Sequence, residues 1–234
     1  MIGPLRQDQA YHRFADARAF LGVANFADVI SSLALVAVGL AGLWLLWQQR
    51  ASPSRFSSLD EWRAYWAFFG AVVLAGVGSA YYHLAPDDAR LAWDRLPIAV
   101  AFMCLLGAVM SERLGLAGGW KLLALLAALG AASVLYWRLS DDLWPYVVVQ
   151  FGSLAAVVVI CSGLSSRYTA GWTIFGIAAL YGAAKLCELY DREIFGLTAG
   201  AISGHTLKHL LSAVAIAGLF AWLALRQPVS AGHG

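Results

Sequence analysis

Seven long apolar runs restrict what this chain can fold into. A run of about 20 apolar residues is long enough to cross the hydrocarbon core of a bilayer as one helix. Only helices and closed barrels satisfy their backbone hydrogen bonds in that core. The runs cover residues 26–47, 62–84, 95–112, 119–137, 143–163, 170–190 and 204–225. The sequence therefore predicts an all-α fold, a polytopic membrane protein built as a seven-transmembrane helix bundle.

The composition agrees with a single membrane domain. Hydrophobic residues make up 61% of the 234 residues and charged residues only 13%, which is too apolar for an ordinary soluble domain. No basic patch with interleaved aromatic residues is present, so we expect no nucleic-acid partner. The loops are too short to hold a second domain. Residues 1–234 are therefore expected to form one seven-transmembrane domain, with residues 1–25 as an N-terminal segment before the first span.

Two histidines four residues apart open the last apolar run. His205 and His209 stand in the segment SGHTLKHLL, and residues at i and i+4 share one face of a helix. Both imidazoles can therefore reach one metal ion. A third histidine, His83, ends the second run, and three histidines suit zinc with a fourth position open for water. The alternative is a histidine pair that is merely hydrogen-bonded between helices.

The order of the spans brings further polar residues to the same side of the membrane. With seven spans, the end of the second span and the starts of the third and seventh lie on the face that holds the N-terminus. These positions carry Ser79, His83, Asp94, His205 and His209. All five are therefore expected at similar depth near one face, and ionisable groups inside spans are typically functional because they are costly.

Asp94 and Ser79 have uses beside a bound metal. Asp94 is suited to act as a general acid and base, or to accept a hydrogen bond from a histidine ligand. Its alternative is a loop carboxylate paired with Arg90 or Arg95. Ser79 precedes His83 by one helical turn and is suited to donate to a developing oxyanion. Its alternative is a hydroxyl bonded to the backbone of its own helix.

The end of the sixth run carries three charges in the pattern K-x-x-E-x-x-D. An ion pair between Lys185 and Glu188 is the expected arrangement there. Asp191 lies nearer the predicted metal face, so we consider it a candidate to hold a metal ligand in place. Asp141 and Asp142 open the fifth run, where carboxylates favour a helix N-terminus.

The motifs around these residues resemble those of the alkaline ceramidase family. That family belongs to the superfamily of adiponectin-type receptors and haemolysin III-like proteins. The second and third spans are similar to its S-x3-H motif followed by W-D-x-L-P, here GSAYYHLAPDDARLAWDRLP, and the last span to its H-x3-H motif, here SGHTLKHLL. The first span and the end of the sixth also resemble the family, in ANFADVISSLALVAVGL and LCELYDREIF.

The resemblance implies a zinc-dependent lipid amidase. By resemblance, His83, His205 and His209 bind catalytic zinc, Asp94 assists proton transfer and Ser79 supports the oxyanion. The family cleaves the amide of ceramides to a sphingoid base and a fatty acid. This implies that the partner of the chain is a membrane lipid substrate with a ceramide-like amide. A bacterial member of the family would lie in the inner membrane.

Calcium is the one cofactor of the eukaryotic relatives that the sequence does not support. Those relatives bind it through an acidic N-terminal segment and a glutamate that opens the first span. Here Asn25 replaces that glutamate, Asp16 and Asp28 are the carboxylates nearby, and Arg13 and Arg18 are interleaved. Calcium takes six to eight oxygen ligands and usually several carboxylates. The sequence therefore predicts a Zn²⁺ enzyme whose activity does not need Ca²⁺.

Three other functions are compatible with parts of this arrangement of histidines and polar residues. A receptor-like or haemolysin III-like membrane protein would keep the same metal site with little turnover. A haem-binding membrane anchor would use His83 and one histidine of the last span, leaving the other histidine without a role. A transporter would show broken helices or inverted repeats near the middle of the membrane, whereas these polar residues lie near one face. The preferred prediction is an intramembrane zinc hydrolase of an amide-linked lipid.

Overall fold

The computed structural model of this chain is all-helical across the residues it describes, which are 3–50, 55–116 and 118–229. No strand forms within these ranges. Residues 1–2 of the predicted N-terminal segment lie outside them. The eight helices are α1 (Phe26–Gln49), α2 (Leu59–Leu84), α3 (Asp88–Leu114), α4 (Gly119–Ser140), α5 (Trp144–Gly163), α6 (Thr173–Leu189), α7 (Asp191–Leu197) and α8 (Gly204–Leu225).

Six of these helices, α1 to α5 and α8, are long and apolar enough to cross a membrane. They coincide with six of the seven predicted spans, which confirms an all-helical, multi-pass membrane protein. The predicted span at 170–190 corresponds to α6, which has 17 residues. At 1.5 Å per residue this helix is about 26 Å long, somewhat less than the roughly 30 Å hydrocarbon core. The count of seven spans is therefore not confirmed.

The helices pack closely against their neighbours except at one place, between α5 and α6. α1 lies between α2 and α8, α3 packs against α2, α4 and α5, and α6 packs mainly against α8. By contrast, α5 and α6 contact each other only sparsely. The bundle is thus tightly packed around α1, α2, α3 and α8, and loosest between α5 and α6.

Two glycines allow close helix contacts next to the predicted site. A Cβ atom on Gly78 would lie 2.2 Å from the carbonyl oxygen of Trp93, and one on Gly204 would lie 2.1 Å from that of Cys187. No real side chain tolerates such distances, so only glycine fits. Pro97 has no N–H for the Trp93 carbonyl, which instead faces Gly78. These contacts bring α3 against α2, and the start of α8 against the end of α6.

The N-terminal segment folds back over the helix ends that carry the histidines. Leu5 donates its backbone N–H to Asp142 at 3.0 Å, and the same carboxylate oxygen accepts the N–H of Trp144 at 3.0 Å. Asp142 therefore accepts a backbone N–H at the N-terminus of α5, as predicted. Further along the segment, Ala15 donates its N–H to Asp191 at 2.8 Å. The segment is thereby attached to both the start of α5 and the start of α7.

Candidate metal centre

Three buried histidines from two helices face one another at the centre of the site. His83 ends α2, while His205 and His209 stand one turn apart at the start of α8. Ligand nitrogens of the three rings lie within 4.8 Å of one another, and the ring centroids are 4.8 to 5.0 Å apart. The three residues are 0 to 3% exposed. The predicted convergence is confirmed, and the group can hold one metal ion.

The unpartnered nitrogens of this group fit a bound cation. Both ring nitrogens of His83 and Nε2 of His205 are buried and have no hydrogen-bond partner in the part of the chain that is described. A buried polar atom without a partner costs free energy. Coordination of one cation engages one nitrogen of each ring and so removes part of that cost. Imidazole ligands suit zinc, copper, iron and nickel, so the three donors are chemically compatible with a transition metal ion.

Two serines of α1 orient His209. The hydroxyl of Ser31 donates to the backbone carbonyl of Asp28 at 3.1 Å and lies 2.8 Å from Nδ1 of His209. Ser32 Oγ lies 3.5 Å from the same nitrogen. Because the Ser31 proton is donated to the Asp28 carbonyl, the Ser31 oxygen can accept only from a protonated Nδ1, a tautomer that would leave the Nε2 lone pair for a metal. The motif spacing does not predict either serine. Two adjacent hydroxyls inside an apolar span are the sequence signal that marks them.

Ser79 lies directly beside the histidines. Its Oγ is 3.3 Å from Nε2 of His209 and accepts a hydrogen bond from Ser32 Oγ at 3.0 Å. Within the described residues it makes no hydrogen bond to the backbone of its own helix. The alternative of a purely local backbone contact is therefore not realised, and the hydroxyl stands next to the metal-facing nitrogen.

Asp94 reaches the same place from α3. It is 5% exposed and lines one cavity together with Ser79 and His209. Neither of its two alternative partners pairs with it among the described residues. Arg90 pairs instead with Asp87, at 4.0 Å between Nε and Oδ2. The Asp94 carboxylate is thus available to a molecule in the cavity.

Asp191 supports the site through the backbone. Its Oδ1 accepts the N–H of His205 at 2.8 Å, and its Oδ2 accepts the N–H of Ala15 at 2.8 Å. The carboxylate thus joins the start of α8 to the N-terminal segment, and among the described residues it makes no hydrogen bond to an imidazole. Next to Ala15, the ring of Phe14 lies 4.6 Å from the ring centroids of both His83 and His205. The N-terminal segment therefore covers the histidines on this face.

Each of the three calcium candidates has another partner in the structure. Asp16 binds Arg18 through two contacts, 2.7 Å to Nε and 2.6 Å to Nη2. The Nδ2 of Asn25 donates to the backbone carbonyl oxygen of His83 at 2.8 Å, and Asp28 Oδ1 accepts a bond from the Thr206 hydroxyl at 2.7 Å. In the described part of the chain, the histidine group is the one cluster of three or more residues with metal-ligand spacing.

A cavity of about 160 Å³ opens beside His209. Ser79, Asp94 and His209 line it near the metal centre, and apolar side chains such as Val72 and Leu219 line it further along. His209 and Leu219 are ten residues apart on α8, or about 15 Å along the helix axis. The cavity therefore leads from the histidines towards the middle of the bundle.

A half-buried charge cluster forms another part of the cavity wall. The predicted ion pair between Lys185 and Glu188 is present. Glu188 also accepts hydrogen bonds from Lys208 Nζ at 2.9 Å and from the Tyr11 hydroxyl at 2.7 Å. All four residues line the cavity. Lys208 stands inside the H-x3-H motif, and its place between two histidines is the sequence signal for this role.

Comparison with known proteins does not identify a family for this chain. No protein-family model matches the sequence, and no curated protein matches it. The resemblance to alkaline ceramidases therefore rests on the motifs alone. Any function has to be argued from the residues and geometry of the site.

Proposed function

We propose that this protein is a zinc-dependent intramembrane hydrolase that cleaves an amide-linked lipid. The observation that carries the proposal is the buried three-histidine group, whose His209 lines a cavity that also presents Asp94 and Ser79. Three imidazole ligands with a fourth position open are typical of catalytic zinc. Zinc bound there would act as a Lewis acid and would lower the pKa of a bound water to about 7.

Asp94 and Ser79 supply the remaining chemistry in this proposal. Asp94 takes a proton from the attacking water and passes it to the leaving amine, a role that suits a buried carboxylate without an ion-pair partner. Ser79 donates its hydroxyl proton towards the developing oxyanion. Both residues line the cavity beside His209, so the two groups can act on one substrate carbonyl.

The shape of the site supports a lipid substrate. The apolar part of the cavity accepts an acyl chain, and the sparse contact between α5 and α6 provides a lateral path from the bilayer. The N-terminal segment, with Phe14 over the histidines, covers the opposite approach. In this proposal α6 also crosses the membrane, as the sixth of seven spans, and the substrate is ceramide-like. The products are a long-chain amine and a fatty acid.

The same geometry argues against a haem anchor. All three histidine rings lie about 5 Å from one another, so a macrocycle between two of them would collide with the third. A single ion satisfies all three rings. We further propose that the chain belongs with the alkaline ceramidases and resides in a bacterial inner membrane, as the motifs suggest.

Metal analysis and a lipid amidase assay on the same purified protein test this function. We expect about one zinc per chain, lost in the double variant His205→Ala/His209→Ala. Asp94→Asn should keep its zinc but lower the turnover of a ceramide by about 10²–10⁴-fold. Asp87→Asn, at the exposed start of the same helix, is the matched control and should keep its activity. Iron with a haem spectrum would exclude the proposal. Stoichiometric zinc without hydrolysis of any amide lipid would favour the receptor-like alternative.

A further inference from the structure

We propose that the cavity contains an anion-binding subsite centred on Arg95, which selects substrates with an acidic group on the amine side of the amide. This inference rests on the proposed hydrolysis and specifies its substrate class. The preferred substrate is a fatty amide whose amine part carries a carboxylate or phosphate. Nothing in the metal centre itself requires such a group, so the subsite is a separate element of recognition.

The environment of Arg95 is the first observation. Arg95 is only 8% exposed, it lines the cavity, and its Nη1 is buried without a hydrogen-bond partner among the described residues. No carboxylate pairs with its guanidinium within that part of the chain. Arginine stays protonated in proteins and carries five N–H donors. A buried cation without a partner is costly, so this position favours an anion supplied by a ligand.

Aromatic rings hold the Arg95 guanidinium in a fixed position. Its Cζ lies 5.4 Å from the ring centroid of Tyr11, 4.6 Å from that of Trp137 and 5.1 Å from that of Tyr146. These rings come from the N-terminal segment, α4 and α5. Cation–π contacts engage the faces of a guanidinium and leave its N–H edge free. That edge matches the two oxygens of a carboxylate or phosphate.

The charges around the cavity have the sign that an anion requires. Lys185 and Lys208 both bind the single carboxylate of Glu188. Together with Arg95 they give the cavity wall three cations against two carboxylates, Glu188 and Asp94. An excess of positive charge in a low-dielectric cleft attracts anionic ligands. A neutral head group would leave this excess uncompensated.

The layout of the cavity places the anion on the amine side of the amide. An acyl chain fits the apolar part, near Val72 and Leu219, and the amide carbonyl then lies at the histidines. Among the α3 residues that line the cavity, Asp94 and Arg95 come first and the apolar side chains from Ile98 to Leu105 follow, so Arg95 lies at the polar end. The amine portion of the lipid therefore points towards Arg95. An acidic group close to the nitrogen would reach the guanidinium edge.

Two matched pairs of amides test the subsite in zinc-loaded protein. In the first pair, N-decanoylglycine carries a carboxylate where N-decanoylethanolamine carries a hydroxymethyl group. A ceramide with and without a phosphate on its amine-side alcohol forms the second pair. We expect a higher kcat/KM for the acidic member of at least one pair, and the pair that responds tells carboxylate from phosphate. Equal rates within both pairs would overturn the proposal.

Variants of Arg95 assign the selectivity to one side chain. Arg95→Gln should lower kcat/KM for the preferred acidic amide by roughly 10- to 150-fold, as expected for a hydrogen-bonded charge pair, and spare the neutral amide. Arg95→Lys should recover part of the loss, since it keeps the charge but not the planar fork. Arg90→Gln, which removes an arginine that stacks on Tyr81 outside the cavity, is the matched control. Equal losses for both amides in Arg95→Gln would show a structural role only.

A binding measurement tests the anion-binding subsite independently of the proposed hydrolysis. Calorimetric titration of N-decanoylglycine into the Asp94→Asn variant should give a Kd that the added Arg95→Gln change weakens by the same factor. The Kd of N-decanoylethanolamine should stay unchanged. If no amide is cleaved by the wild-type protein, the hydrolysis proposal fails while this titration still decides the subsite. Identical Kd values for the two amides would exclude the subsite.

Discussion

Removal of the Ser31 hydroxyl should weaken metal binding although Ser31 is not itself a ligand. Ser31 Oγ lies 2.8 Å from Nδ1 of His209 and donates to the carbonyl of Asp28. In Ser31→Ala this fixed acceptor is lost. The imidazole can then rotate, or move its proton to Nε2, which would block coordination. Either change lowers the fraction of the protein in which Nε2 of His209 can bind a metal ion.

The expected size of the effect follows from the contacts of the ring. Loss of a hydrogen-bond partner of a metal-bound histidine typically costs 10- to 100-fold in metal affinity, or about 1.4 to 2.7 kcal/mol. Ser32 Oγ lies 3.5 Å from the same nitrogen and is a weak substitute. We therefore expect a loss of about tenfold for Ser31→Ala and a loss nearer 100-fold when Ser32→Ala is added.

Competition with a fluorescent zinc chelator measures this affinity on protein purified in detergent. Ser140→Ala is the matched control, because Ser140 is exposed and its hydroxyl bonds to the carbonyl of Tyr136 in its own helix. Its zinc affinity should equal that of the wild type. Thermal unfolding of each variant shows that the fold is retained. A Ser31→Ala variant with wild-type zinc affinity would refute the role assigned to this hydroxyl.

Two further substitutions test the neighbouring contacts. Ser79→Ala should slow amide hydrolysis by roughly 10²–10³-fold with zinc retained, and loss of zinc would instead make Ser79 a ligand or structural residue. Gly204→Ala should destabilise the fold by about 1–3 kcal/mol, because its Cβ would meet the Cys187 carbonyl. Thermal unfolding measures this change against Gly176→Ala, whose Cβ meets nothing within 4 Å. Equal unfolding temperatures would mean that α6 and α8 can separate without cost.

The apolar pattern predicts most helices well because a bilayer imposes both length and composition. The first predicted span, 26–47, corresponds to Phe26–Gln49, and the last, 204–225, to Gly204–Leu225. The run at 170–190 differs at its start, because the helix begins only at Thr173, although it ends at Leu189 as predicted. The turn before the helix holds Ala170 at a positive φ of 54°, and hydropathy does not record such a backbone turn.

The histidine group could be predicted because its signals are local or topological. The i, i+4 spacing of His205 and His209 follows from helix geometry, and the depth of His83 follows from the order of the spans. The contact of His209 with Ser31 depends on how α1 is rotated about its axis in the bundle, and residue spacing in the sequence does not predict that rotation. The covering position of Phe14 depends on a polar segment folding back over the helix ends.

Arg95 shows most clearly what tertiary structure adds. The sequence offers Asp94, its neighbour, as an ion-pair partner. In the structure the guanidinium turns instead towards aromatic rings from three separate parts of the chain. Both side chains are thereby left to face the cavity without neutralising each other. Such an arrangement arises only when distant elements meet, so neighbouring residues in sequence are a poor guide to it.

The contacts of the N-terminal segment bear on whether calcium is needed. Asp16 is held by the Arg18 guanidinium, whose hydrogen bonds lower the pKa of that carboxyl below its usual value. Asn25 uses its amide on a backbone carbonyl. Asp28 keeps one buried oxygen, Oδ2, without a partner among the described residues. One unengaged carboxylate oxygen is far from the six to eight ligands that calcium takes.

We therefore expect amide hydrolysis to be independent of calcium. The ion pair of Asp16 with Arg18 closes a local turn, and the Asp191 carboxylate fastens the segment at Ala15, so the covering segment is held in place by the protein itself. The assay compares hydrolysis in a calcium-selective chelator with hydrolysis in excess calcium, and zinc occupancy is measured in both. Rates should agree when zinc occupancy agrees. A large loss in the chelator that calcium restores would mean that Arg18 leaves Asp16 and that this segment rearranges into a calcium site.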